Sequence, residues 1–212
     1  MNWTYLFDAP VTIALLALTT IVSLLALWRE DIRDRHVLVP YDTLTYREYW
    51  RLLTSGLIHG NGLHLAFNMV TLLFFGALLE HRLGHGGFAL LYGLGLLISN
   101  LGVTLRYGRD TDYEGTLGAS GAVSAVVLGV VVANPFLRFG LPLVSDLWPL
   151  LTVPAWIMGT VYLLYTAVSM CLPRRLPINH DAHLWGALSG IVLTLLFKPN
   201  SFQVMQQLMA QF

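Results

Sequence analysis

Charge is scarce in this chain, and cysteine is nearly absent. Only 11% of the 212 residues are Asp, Glu, Lys or Arg, against about 25% in soluble domains. Neither sign dominates, since 12 basic and 12 acidic side chains leave a formal net charge of zero. Without a basic excess there is no electrostatic footprint for nucleic acid. The single cysteine, Cys171, excludes an internal disulfide and a CxxC metal or redox site. It sits near the end of an apolar run, where it reads as a buried or lipid-facing thiol. No H-E-x-x-H motif occurs, which argues against a metalloprotease. No paired broken helices or inverted repeats are visible, as a secondary transporter would want. No Ser/Gly-rich linker divides the chain, so one polytopic domain over residues 1–200 is the economical reading.

What fills the chain instead is apolar, 56% of all residues. Long uncharged stretches alternate with short charged ones, the pattern of a membrane protein. The spacing predicts six spans, over residues 9–28, 63–79, 87–105, 117–134, 147–170 and 182–197. The fourth and sixth, about 18 and 16 residues, are short for a hydrocarbon core that takes about 20 helical residues. Such spans must sit low, tilt less or be shielded by neighbours; a recessed, water-filled pocket above them would explain their length. "MNWTYLFD" lacks Lys and Arg and "LALWRED" offers no cleavage site, so the first span reads as a retained helix. Between spans one and two lies a polar loop rich in Arg, acids and aromatics. Trp50, Tyr41, Tyr46 and Tyr49 favour the headgroup level. Within it, Tyr49, Leu52, Leu53 and Leu57 share one side at helical spacing, predicting an interfacial helix. The tail, 201–212, reads as an amphipathic helix with Phe202, Met205, Leu208, Met209 and Phe212 on one face.

Polar groups inside a membrane are candidates for function by default. Span two opens with "HGNGLHLAFN", which places His64 and Asn68 on one helix face. Span four opens with "GASG" and Ser120, span six with "NHDAHLWG" and His183. Gly121, Ala125 and Gly129 form a small-residue stripe, and so do Ala182, Gly186 and Gly190. If the stripes face each other, Ser120 and His183 lie beside one seam. Spans two, four and six run in the same direction, so all these groups open on one side.

The chemistry follows from residue type. A serine hydroxyl is a weak nucleophile until a base takes its proton, and a neutral imidazole does so near neutral pH. First-turn N–H groups lack intrahelical partners and the helix dipole favours negative charge there. Backbone N–H groups about Gly118, Ala119 and Ser120 are therefore candidates for an oxyanion hole, completed by His64 and Asn68. Asp181 lies about 200° round the helix from His183, so it reads as a first-turn or capping acid and the pair as a Ser–His dyad. His180, outside the span, reads as a cap or a contact of loop and water. His81 and His85 in "EHRLGH" are four apart, but Gly84 and Gly86 mark a helix end and no intramembrane carboxylate is evident. They read as solvated loop residues, and no metal or cofactor is implied.

These motifs, together with Trp50-Arg51, resemble in order and placement those of the rhomboid family of intramembrane serine proteases, over roughly residues 44–197. The resemblance implies an all-α membrane protein, a six-transmembrane-helix rhomboid-like bundle with an interfacial first loop. It implies Ser120 as nucleophile, His183 as base, and His64 and Asn68 as oxyanion partners. It further implies transmembrane protein substrates, cut near a membrane face after a small residue, and contact with membrane lipid. A catalytically inactive, client-binding relative is the competing reading. One departure stands out: many bacterial members carry a tyrosine four residues after the nucleophile, stacked under the histidine. Here that position is Ser124, leaving Trp185 or Tyr162 as substitutes. Charge and family topology also disagree. With a cytoplasmic N-terminus, Arg82, Arg138 and Lys198 lie inside, against nine arginines outside, the reverse of the positive-inside rule. Much of that excess sits in the first loop beside matching acids. The family topology is adopted: a bacterial inner membrane, with the site opening on the extracytoplasmic side.

Overall fold

The computed structural model describes residues 8–140, 152–172 and 179–198. The tail helix expected over 201–212 lies outside them. Helix α1 spans Pro10–Trp28, with Pro at its first position, where a missing N–H costs nothing and φ is preset. Its cap residue Ala9 provides no side-chain acceptor. The acceptor comes from far along the chain. Glu80 takes the N–H of Val11 at 3.0 Å, the N–H of Thr12 at 2.8 Å and the Thr12 hydroxyl at 2.7 Å. His85 Nδ1 meets the same carboxylate at 2.7 Å. Glu80 is fully buried, and a carboxylate there satisfies orphan N–H groups and complements the dipole. This corrects two expectations: the chain does bury a carboxylate, and His85 is paired with it, not simply solvated. Glu80→Ala leaves these buried donors without a partner and should lower stability by on the order of 3 kcal/mol. Glu80→Gln, which keeps an acceptor oxygen, should lose less. Thermal melting in detergent checks this; equal midpoints for wild type and Glu80→Ala would refute the capping role.

The first loop folds into short helices, α2 (Glu30–His36), α3 (Pro40–Thr45) and α4 (Arg51–Thr54), followed by a 3₁₀ turn at Ser55–Leu57. Arg51 ties them together. Its guanidinium donates to Glu48 at 2.6 Å, to the Asp34 carbonyl at 2.9 Å and to the Val37 carbonyl at 2.6 Å. The interfacial helix expected near Tyr49 is therefore broken up. Leu52 is buried in the core, while Tyr49 and Leu53 stay exposed. Paired backbone hydrogen bonds between Leu38 and Thr116, both 2.9 Å, fasten this loop to the segment before Ser120.

Helix α5 (Gly62–Thr71) passes through a π turn (Leu72–Gly76) into α6 (Ala77–Tyr107). The 46 residues Gly62–Tyr107 would extend about 69 Å as one straight helix, far beyond the roughly 30 Å hydrocarbon core. Gly84, with φ 73° and ψ 165°, breaks the run between the second and third spans read from sequence. Its left-handed φ suits glycine alone. Gly86, expected to share that end, is helical.

Helix α7 (Ser120–Ala133) is short at 14 residues, and nearly every side chain from Gly121 to Val131 is buried. A helix apolar all round belongs in a core. Shielding by neighbours therefore accounts for its length. It starts later than expected because Gly118 has φ 115°, outside the helical region. Strands β1 (Arg138–Phe139) and β2 (Val153–Pro154) pair antiparallel, Arg138 opposite Pro154 and Phe139 opposite Val153, an addition to the all-helical expectation. Helix α8 (Ala155–Cys171) follows β2; residues 147–151 of the span expected there lie outside the described residues. Helix α9 (His180–Phe197) lies most closely on α7. By length and hydropathy, Pro10–Trp28 and Gly62–Tyr107 are able to cross a membrane, whereas α7 and α8 are shorter apolar helices.

Candidate active site

The two small-residue stripes face each other. A Cβ on Gly186 would strike the Gly121 carbonyl, and one on Gly190 the Ala125 carbonyl. Ser120 is the first residue of α7 and immediately precedes Gly121; His183 lies one turn before Gly186 on α9. Because α7 and α9 are parallel, hydroxyl and imidazole occupy the same end of one seam. Both are half-buried. No hydrogen bond closes between them in this structure. On the flank, Ser99 Oγ donates to the Ala182 carbonyl at 2.9 Å, pinning α6 to the start of α9.

His64 reaches the same end from α5. A Cβ on Gly118 would come within 2.7 Å of His64 Cε1 and 2.9 Å of Nε2, so the absent side chain leaves room for this ring. Asn61 caps α5 by accepting the His64 N–H at 2.8 Å. Asn68 is buried one turn further on, and its amide donates one N–H to the His64 carbonyl at 3.0 Å. Asn68 thus retains a second N–H donor.

A residue that sequence reading did not single out organises the turn before Ser120. His59 is fully buried and packs edge-on against His64, with ring centroids 4.8 Å apart. Ser23 Oγ, in the middle of α1, donates to the Leu57 carbonyl at 2.8 Å and meets His59 Nδ1 at 2.9 Å. A hydroxyl has one hydrogen, so Nδ1 must donate to Ser23, leaving Nε2 as the acceptor. That Nε2 takes the Ala119 N–H at 3.3 Å, while the Gly118 N–H goes to the Ser55 carbonyl at 2.9 Å. Both N–H groups therefore have partners in this structure. Gly118 and Ala119 shape the turn, and the first-turn donors left open are those of Ser120 to Ala122. The clue in the sequence was Ser23, one of four hydroxyl side chains, with Thr12, Thr19 and Thr20, in an otherwise apolar span.

Asp181 faces away from the seam's chemistry. Its oxygens accept from Arg106 at 2.5 Å and from the Tyr107 hydroxyl at 3.0 Å. Asn179 caps α9 by accepting the Ala182 N–H at 3.1 Å, so Asp181 is the first-turn acid. His180 opens α9 and meets Tyr165 edge-on, centroids 5.3 Å apart. Trp185 lies against Gly102, whereas the Tyr162 ring lies over His183, centroids 6.4 Å apart and planes at 26°. Among the described residues no group of three or more His, Cys, Asp or Glu side chains is placed to hold a metal.

This layout can be set beside known proteins. The Rhomboid domain family model matches residues 46–200. Putative rhomboid protease YdcA of Bacillus subtilis (strain 168) is 29% identical over 195 residues, covering 88% of each chain. RHOMBOID-like protein 4 of Arabidopsis thaliana is 31% identical over 72% of this chain and 36% of its own length. Rhomboid protease GlpG of Photorhabdus laumondii is 30% identical over 60% of this chain and 44% of its own. The chain thus spans well under two thirds of the last two relatives and most of the first. With the domain matched over most of its length, the chain belongs to the rhomboid family of integral membrane proteins, which includes named proteases.

Proposed function

We propose that the chain is an intramembrane serine endopeptidase, working through a Ser120–His183 dyad in a six-transmembrane-helix bundle. The observation that carries this reading is the α7–α9 seam. Glycines at 121 and 186 let two backbones touch, and the Ser120 hydroxyl and the His183 imidazole flank the contact. His183 takes the Ser120 proton as Oγ attacks a substrate carbonyl carbon, giving a tetrahedral oxyanion. The C–N bond then breaks, and the imidazolium gives its proton to the leaving amine. Water deacylates the serine by the same route in reverse. The Ser120 N–H, His64 and the second N–H of Asn68 are the donors assigned to the oxyanion. No metal or other cofactor takes part.

The substrates in this reading are transmembrane segments that unwind near the extracytoplasmic face, because a helical peptide carbonyl is engaged in its own ladder. The exposed aromatics Tyr46, Tyr49 and Trp50 set the first loop at headgroup level. Incubation of the purified protein with a fluorophosphonate probe is the direct test: covalent labelling that vanishes in Ser120→Ala supports the enzyme, and an unlabelled wild type points to the inactive, client-binding reading. Within the enzyme, His64→Ala and Asn68→Ala should each lower kcat by about 10²–10³ while labelling of Ser120 persists at a reduced rate. A change confined to KM would instead make α5 a substrate-binding wall.

A further inference from the structure

We propose that Tyr162, anchored through Ser124, is the positioning residue for the His183 ring, and that this strut also fixes the backbone of Ser120. The inference rests on the reading of His183 as the base. At 6.4 Å between centroids and 26° between planes, Tyr162 and His183 form an offset stack within the favourable range. His180 is also near His183, edge-on at 6.1 Å and 81°, but it belongs to α9 itself and moves with it. Tyr162 brings the restraint from another helix.

The direction of the strut is fixed by counting hydrogens. Ser124 Oγ donates its one hydrogen to the Ser120 carbonyl at 2.7 Å. Its contact of 2.6 Å with the Tyr162 hydroxyl must therefore run from phenol to serine. One chain of hydrogen bonds then joins the ring under the base to the backbone of the nucleophile: Tyr162 O–H to Ser124 Oγ–H to Ser120 C=O. Tyr162 packs against the cluster of Leu128, Val131, Ala155 and Ala187 and, together with Phe139, Met158, Val161 and Tyr165, lines an open apolar groove of about 540 Å³. The hydroxyl contact adds a directional restraint that apolar packing does not supply. A serine at position 124 is thus no defect of the motif. It is the foot of a tyrosine supplied from α8.

The test uses the full-length protein, a transmembrane-peptide reporter and fluorophosphonate labelling. Tyr162→Ala should lower kcat by on the order of 10²-fold, the effect of a misplaced catalytic group, with KM little changed. Tyr162→Phe keeps the ring and loses only the strut, so kcat should fall roughly 5- to 10-fold, the worth of one hydrogen bond. Ser124→Ala should match it, and Tyr162→Phe/Ser124→Ala should be no worse than either, since both cut the same chain. The swap Tyr162→Ala/Ser124→Tyr refills the vacated volume from α7 and should recover most of the lost kcat. A kcat within threefold of wild type in Tyr162→Ala overturns the proposal, as does additivity in Tyr162→Phe/Ser124→Ala or a swap as impaired as Tyr162→Ala. Those results sink the strut alone if wild type labels at Ser120. A wild type that never labels brings down the serine-protease reading, and the strut's catalytic role with it.

Discussion

Ser120→Ala removes peptide-bond cleavage, and His183→Ala removes it to the same degree: that is the expected result of a turnover assay on a transmembrane reporter. The losses should be large, roughly 10⁴-fold or more in kcat, and the double variant should be no worse than either single one, because in the proposed dyad nucleophile and base act as a unit. Folding should be nearly untouched. Ser120 is small and half-buried, and its substitution removes one oxygen that makes no hydrogen bond to His183. Substrate binding should therefore survive, and Ser120→Ala should still retain a reporter segment in pull-down. Residual cleavage near wild type in either single variant would contradict the dyad. Losses that multiply in the double variant would mean that the two residues serve separate steps.

The second large effect is on stability. Gly186→Ala adds one methyl group, yet that carbon would fall on the Gly121 carbonyl, a backbone atom that cannot rotate away. Overpacking a core with side chains costs about 1–3 kcal/mol, and a backbone collision should exceed the upper end of that range. The seam must open, so activity should fall together with the melting point. Gly93, in the middle of α6, provides the control, since nothing lies within 4 Å of a Cβ placed there. There the same exchange should stabilise by up to about 1 kcal/mol, the difference in helix propensity between Gly and Ala. Opposite signs for one chemical change separate interhelical contact from local propensity. If Gly186→Ala melted like Gly93→Ala, the close approach of α7 and α9 would be wrong.

Much of this was legible in one dimension. Apolar run length marked where helices lie, and the spacing of Gly121, Ala125 and Gly129 against Ala182, Gly186 and Gly190 anticipated which faces meet. Polar residues at span entrances drew attention to Ser120, His183, His64 and Asn68, because such groups are costly in lipid. Element ends were read less well. Gly118, with its φ of 115°, delays the start of α7, and that backbone choice leaves no periodic trace.

What the sequence determined by itself is therefore the set of local quantities: apolar length, helical spacing, and which hydroxyls and imidazoles lie near helix starts. Tertiary structure alone decided how those groups are paired. Glu80 satisfies the start of α1 from 68 residues away, His59 links α1 to the turn before Ser120 across 60 residues, and Tyr162 reaches Ser124 across 38. The physical reason is the same in each case. A buried hydrogen-bonding group must find a partner, but periodicity reports only which face a side chain occupies, and any donor or acceptor on the facing element would satisfy it. Which one does so depends on how the helices pack, and periodicity does not encode that.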